Sequence, residues 1–309
     1  MKGSSSMSLT RTLKRDFYLN KYKYLLILPV LAYFVLFCYK PMYGIIIAFQ
    51  DYRANLGIAG SRWVGFRNFL VFFKDPYFFR LLRNTLSISL LSIVFGFPAP
   101  IILAIFLNEV KNTVFKRTVQ TVTYMPYFIS MVVICSLIRT YLSSDGLFSQ
   151  MAVAVGGAGK NYLMYPQYFY PMYVISGIWE TIGWNSIIYL AALTGIDQEQ
   201  YEAAIIDGAG RFRRIWSITL PNLLPIIMVL FILRMGGILN VGFEKIILLY
   251  NPNTYQVADV ISTFVYRRGI QEAAYSYATA VGLFNSLVNV AFLVLANTLS
   301  RKFTDSSLF

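Results

Sequence analysis

Long apolar runs separated by short polar segments dominate this sequence. Six runs of about twenty mainly apolar residues, the length that crosses a bilayer as a helix, have polar or charged flanks. They lie at about 24–48, 85–107, 119–141, 169–193, 222–243 and 277–299. The runs are continuous rather than alternating, which favours helices over the strands of a membrane barrel. The pattern therefore predicts an all-α integral membrane protein with six transmembrane helices.

Composition and charge support this prediction. The 309 residues are 57% hydrophobic and only 13% charged, far from the roughly 25% charged residues of a soluble domain. The 27 basic residues outnumber the 14 acidic ones and cluster between the apolar runs, which favours both termini on the cytoplasmic side. No basic stripe lies on a soluble domain, so nucleic-acid binding is excluded. We expect a cytoplasmic segment 1–23, a permease domain 24–299 and a cytoplasmic tail 300–309.

The chain lacks the residues that an enzyme or a metal site would need. It has no histidine, and its two cysteines, Cys38 and Cys135, lie far apart inside apolar runs. The segment GGAGK at 156–160 lacks the spacing of a phosphate loop and no Ser or Thr follows the lysine. We therefore expect no catalytic residues, no metal and no cofactor on this chain, and any ATP must act through a partner.

The segment 197–221, between the fourth and fifth runs, is too polar to span a membrane. Acidic residues come first, Gly208-Ala209-Gly210 follows, and three arginines come next. Glycine ends helices and permits the positive φ of a tight turn, and Pro221 suits the first turn of the next helix. The segment is predicted to be a short helix, a tight turn and a second short helical stretch. From these residues alone it is either a passive interfacial helix or a recognition element for a partner.

The spacing within this segment resembles the EAA signature of permease subunits in bacterial binding-protein-dependent ABC importers. The residues that match the signature are Glu202, Ala203, Ala204, Gly208, Ile218, Leu220 and Pro221. The resemblance implies a coupling helix that sits in a cleft of a separate ATPase, which carries the ATP and its Mg²⁺. It also implies the type I importer permease fold with both termini in the cytoplasm.

Further stretches extend the resemblance to nearly the whole chain. WVGFRNF (63–69), RNTLSIS (83–89) and YSYATAVGLFNS (275–286) are similar to sugar-importer permeases, in particular the MalF/UgpA-like group and its LplB-type subunits for oligosaccharides or polysaccharide fragments. This implies a multi-pass protein of the bacterial plasma membrane. Its implied partners are a second, homologous permease subunit, two copies of an ATPase and an external solute-binding protein. Sugar import would then proceed by alternating access.

Ionisable residues deep in a membrane span are costly and are candidates for function. Glu180 lies in the fourth run and Arg234 in the fifth, each near mid-membrane by residue count. They are predicted either to meet and line a polar sugar site or to form a structural ion pair between spans. Further candidates for the substrate path offer aromatic faces or amides to a sugar: Trp179, Trp184, Asn185 and Asn240.

Two alternatives remain open at this point. The aromatic residues of the first outer loop, with Phe66, Phe69 and Phe73 at helical spacing, form either an interfacial helix or a docking surface for an external partner. A secondary transporter, or an importer of another solute, is the alternative function, although the inverted repeats of many secondary transporters are not found.

Overall fold

The computed structural model describes residues 16–304, and helices make up most of it. Residues 1–15 of the predicted segment 1–23, and 305–309 of the predicted tail 300–309, lie outside the described residues. In chain order the helices are α1 (Lys21–Phe49), α2 (Gly57–Gly60), α3 (Arg67–Phe73), α4 (Phe78–Glu109), α5 (Thr113–Tyr124), α6 (Met131–Leu142), α7 (Leu147–Ala154), α8 (Phe169–Thr194), α9 (Gln198–Ile206), α10 (Arg211–Met235), α11 (Phe243–Leu249), α12 (Tyr255–Ala258), α13 (Ile261–Tyr266) and α14 (Tyr275–Thr304). Two short antiparallel strands, β1 (Gln50–Asp51) and β2 (Arg62–Trp63), pair in the loop after α1.

Five segments of the described chain are helical, long and apolar enough to cross a membrane. They are α1, α4, the α6–α7 stretch Met131–Ala154, α10 and α14. The 26-residue helix α8 is equally long but is not among the five. Its apolar content is diluted by Glu180, Asn185 and several tyrosines, tryptophans and glycines. This helix carries four of the six predicted substrate-path residues: Trp179, Glu180, Trp184 and Asn185.

Three of the long helices contain a wide, π-helical turn directly before a proline. Proline has no N–H to donate, and its ring clashes with the carbonyl four residues earlier. In each case that carbonyl lies inside the π-helical turn, where the backbone bonds to the fifth residue instead, as in the 3.1 Å bond from the Phe97 amide to the Ser92 carbonyl. The segments and prolines are Phe34–Tyr39 before Pro41, Ser92–Gly96 before Pro98, and Ile215–Thr219 before Pro221.

The predicted span 119–141, which contains Pro126, is divided between two helices in the structure. Helix α5 ends at Tyr124, a single 3-10 turn contains Pro126, and Ile129 and Ser130 are extended. Helix α6 then begins afresh, with the Ser130 hydroxyl accepting a hydrogen bond from the Val133 amide at 3.4 Å. Pro126 ends one helix and a new N-cap starts the next, so the apolar run is divided between two helices.

The predicted fifth span, 222–243, also has different ends. Helix α10 begins at Arg211 and stops at Met235, and residues 236–242 form turns. Three different helices hold this turn segment by side-chain hydrogen bonds. Ser89 of α4 donates to the Ile238 carbonyl, Asn289 of α14 accepts from the Leu239 amide, and Tyr173 of α8 accepts from the Gly242 amide. The turn is therefore part of the packed interior rather than a loose loop.

Helix α8 lies at the centre of the bundle and packs against α4, α5 and α10. Gly183 permits its approach to α5, because a Cβ built at Gly183 would lie 2.1 Å from the Thr123 carbonyl oxygen. Buried apolar side chains fill the space around α8, with Phe169 and Tyr173 near one end and Tyr189 and Leu193 near the other. This packing fixes the helix that lines the cavity described below.

The aromatic loop after α1 packs onto the bundle rather than lying apart from it. Phe69 and Phe72 of α3 are buried against α14, whereas Phe66 and Phe73 stay exposed. At the same end, the carboxylate of buried Asp259 accepts hydrogen bonds from Arg267 at 2.8 Å and Arg80 at 3.5 Å. This carboxylate connects the segment before α13 to the start of α4.

Candidate functional site

A cavity of about 570 Å³ opens between α4, α8, α10 and the turn segment 236–242. Helix α8 lines it with one stripe at helical spacing, which includes Val174, Gly177, Thr181, Asn185 and Ile188. The volume lies in the range of small-molecule sites, which combine apolar walls with a few polar groups. The cavity has this composition.

An ion pair lies in the wall of the cavity. The Lys245 ammonium donates to the Glu180 carboxylate at 3.4 Å, and their side chains are only 4% and 16% exposed. The prediction that Glu180 meets Arg234 is therefore wrong, and its partner is Lys245. Because α10 stops at Met235, the chain turns back and α11 buries Lys245 beside α8.

Arg234 and Asn185 lie in the same cavity and are exposed. Within residues 16–304, no carboxylate lies within 4.0 Å of the Arg234 guanidinium. The cavity therefore combines a buried, neutralised ion pair with an exposed cation. Both Arg234 and Glu180 belong to one site, although they do not pair.

Asn240 lines the cavity from the turn segment. Its side-chain carbonyl accepts hydrogen bonds from the amides of Asn285 at 3.0 Å and Asn289 at 3.1 Å. These two bonds occupy the oxygen and fix the side chain, so the amide NH₂ is the group of Asn240 that remains for a ligand. An NH₂ group donates well to a sugar hydroxyl.

The two tryptophans predicted for the substrate path lie outside the cavity lining. Trp179 is 47% exposed on another face of α8, because consecutive helix residues point in directions about 100° apart. Trp184 stacks on Tyr127, with ring centroids 4.6 Å apart and planes 3° from parallel. It covers the break after α5 and packs there against Tyr127 and Phe128. The cavity residues that the sequence did not suggest include Lys245, Tyr173 and Tyr189.

The segment 197–221 forms the helix–turn–helix that its residues predict. The Asp197 carboxylate caps α9 by accepting from the Glu199 amide at 3.0 Å. After α9, Gly208 adopts φ +76°. Its amide bonds to the Ile205 carbonyl at 3.0 Å, while the next amide bonds to the Ala204 carbonyl at 2.8 Å. These two bonds define a Schellman motif, which requires a left-handed residue at this position.

The EAA residues divide into a packed set and an exposed set. Ile218 and Leu220 pack with Tyr201 against the core of the bundle, and the Tyr201 and Thr219 hydroxyls are 3.0 Å apart. Ala204 is half-buried, whereas Glu202, Ala203, Gly208 and Pro221 are exposed. The packed residues hold α9 against the start of α10, and the exposed residues are accessible on the surface of the subunit.

Large apolar side chains lie exposed beside this surface. Ile206 is 86%, Phe212 87% and Trp216 76% exposed. Three such residues on a capped helix–turn–helix make an apolar patch of the kind that marks a protein interface. The helices that leave the segment, α8 and α10, are the two that carry Glu180 and Arg234. Helix α10 runs without a break from Phe212 to the cavity, and α9 is joined to the end of α8 by residues 195–197.

Comparison with known proteins identifies the family. Residues 96–305 match the family described as "Binding-protein-dependent transport system inner membrane component". The chain belongs to this family. It is accordingly the permease component of a binding-protein-dependent transport system of the inner membrane, and hydrolysis of ATP takes place on a separate subunit.

Individual relatives of this permease are similar over their whole length. Protein LplB of Bacillus subtilis (strain 168) is 48% identical over 100% of this chain and 95% of its own. The polygalacturonan/rhamnogalacturonan transport system permease protein YteP of the same organism is 47% identical over 94% of this chain and 91% of its own. A chain in the crystal structure of a bacterial alginate ABC transporter, in complex with alginate pentasaccharide-bound periplasmic protein, superposes with a TM-score of 0.89. It is 43% identical, covering 98% of this permease and 100% of that chain.

The family assignment decides between the two classes of transporter left open by the sequence. A binding-protein-dependent permease is an ATP-driven importer component, so the secondary-transporter alternative is rejected. The type I permease fold is shown by the structural likeness. Lys245 could have been suspected from sequence, since Gly236-Gly237 signals a helix end before it.

Proposed function

We propose that this permease receives an oligosaccharide from an external solute-binding protein and passes it to the cytoplasm by alternating access. Its proposed partners are a second, homologous permease subunit, two ATPase copies that bind ATP and Mg²⁺, and the binding protein. The names of YteP and of the alginate transporter support an oligosaccharide as the solute. No cofactor is assigned to this chain.

The observation that carries the proposal is the connection of the exposed apolar patch to the cavity. The patch around Phe212 lies on a segment whose two ends continue directly into α8 and α10. When the ATPase closes on ATP, a rigid contact at this segment would shift both cavity-lining helices together. A coupling of this kind requires the contact to differ between the two states of the transporter.

The cavity is suited to a hydroxylated ring. Asn185 and Asn240 offer amide groups, and Tyr189, Phe97 and Leu230 supply flat apolar walls. Amides hydrogen-bond sugar hydroxyls, while apolar and aromatic faces contact the C–H faces of a sugar ring. We propose that the substrate path contains Glu180, Asn185, Arg234 and Asn240. It does not include Trp179 and Trp184, which lie outside the cavity lining.

The experiment is co-purification of the ATPase with the intact transporter carrying Glu202→Lys. A reversed charge on the exposed face of α9 should lower both ATPase recovery and oligosaccharide uptake, because the segment itself remains folded. Asp145→Lys, which also reverses an acidic charge, at an exposed position between α6 and α7, is the control and should retain the ATPase. Full recovery of ATPase and uptake with Glu202→Lys would refute the coupling role.

A further inference from the structure

Three charged side chains line the cavity, and their charges do not balance. Glu180 carries one negative charge, and Arg234 and Lys245 carry one positive charge each, so the lining has a net charge of +1. The Lys245–Glu180 pair is internally neutral at 3.4 Å. Arg234 supplies the remaining charge, and no carboxylate of the described residues 16–304 pairs with it.

An uncompensated cation inside a bundle of apolar helices favours an anion as ligand. Low-dielectric walls strengthen the attraction between a site and a ligand of opposite charge. A neutral ligand would leave the Arg234 charge unbalanced and would displace part of its water. A ligand with one negative charge would bring the net charge of the occupied cavity to zero.

The two cations are not equivalent as anchors. Lys245 is 4% exposed and its ammonium is engaged by Glu180, so a ligand reaches it only by displacing that carboxylate. Arg234 is exposed in the cavity, and its planar guanidinium can grip a carboxylate through two parallel hydrogen bonds. The geometry favours Arg234 as the anchor, with Glu180 as a fixed negative charge that limits the site to one ligand charge.

We propose that the cavity holds a carboxylate-bearing sugar unit, with Arg234 binding its carboxylate and Asn185 and Asn240 its hydroxyls. The inference rests on the proposed import of oligosaccharides and names the chemical class of the solute. Glu180 and Lys245 are positioning residues in this arrangement. They set the charge of the cavity without being the primary contact.

The test compares trigalacturonate with its trimethyl ester, which keeps the same sugar rings and hydroxyls but has three neutral methyl esters in place of the charged carboxylates. Equilibrium binding of each is measured to the complete transporter in nanodiscs without the binding protein, so that only the transporter discriminates. The unmodified transporter should bind the acid at least about tenfold more tightly than the ester, equivalent to about 1.4 kcal/mol. Equal affinities, or no binding of the acid, would overturn the inference.

Variants with defined cavity charge sharpen the test. Arg234→Gln brings the net charge of the lining to zero and should abolish the preference for the acid. Lys245→Met alone should also abolish the preference, and the pair Glu180→Gln with Lys245→Met, which restores +1, should recover it. A purely structural role for the ion pair predicts no such recovery. Arg62→Gln, which removes an exposed charge outside the cavity, is the matched control.

The failure of this inference can be distinguished from failure of the proposed function. ATPase stimulation by a loaded binding protein is measured on the same variants with a neutral oligosaccharide. Stimulation that persists while the acid preference is absent leaves oligosaccharide import standing and overturns the charge inference. Absence of stimulation by any oligosaccharide removes both.

Discussion

Gly208 offers the most direct test of how the helix–turn–helix segment works. Its φ of +76° is a conformation that costs a residue with a Cβ about 1–2 kcal/mol. A Cβ at this position would meet no atom of the described chain within 4 Å, so the penalty in this subunit comes from the backbone alone. Gly208→Val should therefore act through the turn and not through crowding within the permease.

The magnitude matters because α9 is marginal. A nine-residue helix is too short to be stable alone in water, and it depends on the Asp197 cap, the Schellman turn and the Tyr201 contact. A loss of about 1–2 kcal/mol changes the ratio of ordered to disordered segment by a factor of about 5–30. Amide hydrogen exchange over 198–214 should accelerate by a similar factor in Gly208→Val.

The functional assay is the ratio of solute taken up to ATP hydrolysed in proteoliposomes. Gly208→Val should lower this ratio while ATPase activity continues. Gly208→Asn should have nearly the same ratio of uptake to ATP hydrolysis as the unmodified protein, since asparagine tolerates the left-handed conformation. Gly210→Val is the matched control, because Gly210 has φ −67° and no atom within 4 Å of a built Cβ.

The outcomes separate two explanations for the glycine. If Gly208→Asn uncouples transport as severely as Gly208→Val while hydrogen exchange stays unchanged, the backbone argument fails. The glycine would then be required because a partner approaches it closely. An equal loss in Gly210→Val would point to crowding of the docking surface as well.

Two further predictions concern the stability of the bundle. In Gly183→Ala the new Cβ would lie 2.1 Å from the Thr123 carbonyl oxygen, so the α5 backbone must move by about 0.9 Å. Overpacking of this kind costs about 1–3 kcal/mol of stability, which should exceed the gain of about 0.5–1 kcal/mol from the higher helix propensity of alanine. The midpoint of thermal unfolding should fall by a few degrees in Gly183→Ala. It should not fall in Gly282→Ala, because the space around a Cβ at Gly282 is open. Equal midpoints for the two variants would contradict the close approach of α8 to α5. Asp259→Asn leaves Arg267 without its buried carboxylate and should lower the free energy of unfolding by about 3 kcal/mol, which thermal unfolding also detects as a lower midpoint. The control is Glu244→Gln, because Glu244 is exposed and forms no ion pair within residues 16–304, and its unfolding midpoint should be unchanged. Equal midpoints for Asp259→Asn and Glu244→Gln would contradict the stabilising role of Asp259.

Features encoded by neighbouring residues could be predicted from the sequence. The helix and turn of segment 197–221 form as predicted, because an Asp cap and a left-handed glycine act within one or two turns of themselves. Pro221 does not start the next helix; it lies inside α10, after the π-helical turn Ile215–Thr219. The long apolar runs 85–107, 169–193 and 277–299 all lie within single helices of the structure. Local signals therefore located these helices well.

Features that depend on tertiary contacts could not be predicted. The turn segment 236–242 is held against the bundle because Ser89, Tyr173 and Asn289, on three distant helices, satisfy its backbone groups. Gly236-Gly237 is the one local signal that the helix ends inside the apolar run 222–243, and it does not show where the chain goes next. The partner of Glu180 follows from that stop, since only the reversal of the chain carries Lys245 into the bundle.

The same turn segment connects the specificity of the site with its movement. Asn240 and Lys245 lie on opposite sides of Gly242 along the chain, and the Gly242 amide is held by Tyr173 of α8. A shift of α8 relative to α10 would therefore move Glu180 and Arg234 apart or together while Lys245 follows α8. The distance from the Glu180 carboxylate to Arg234, the proposed anion anchor, would then differ between the two states, and a ligand that binds one arrangement more tightly would be released in the other.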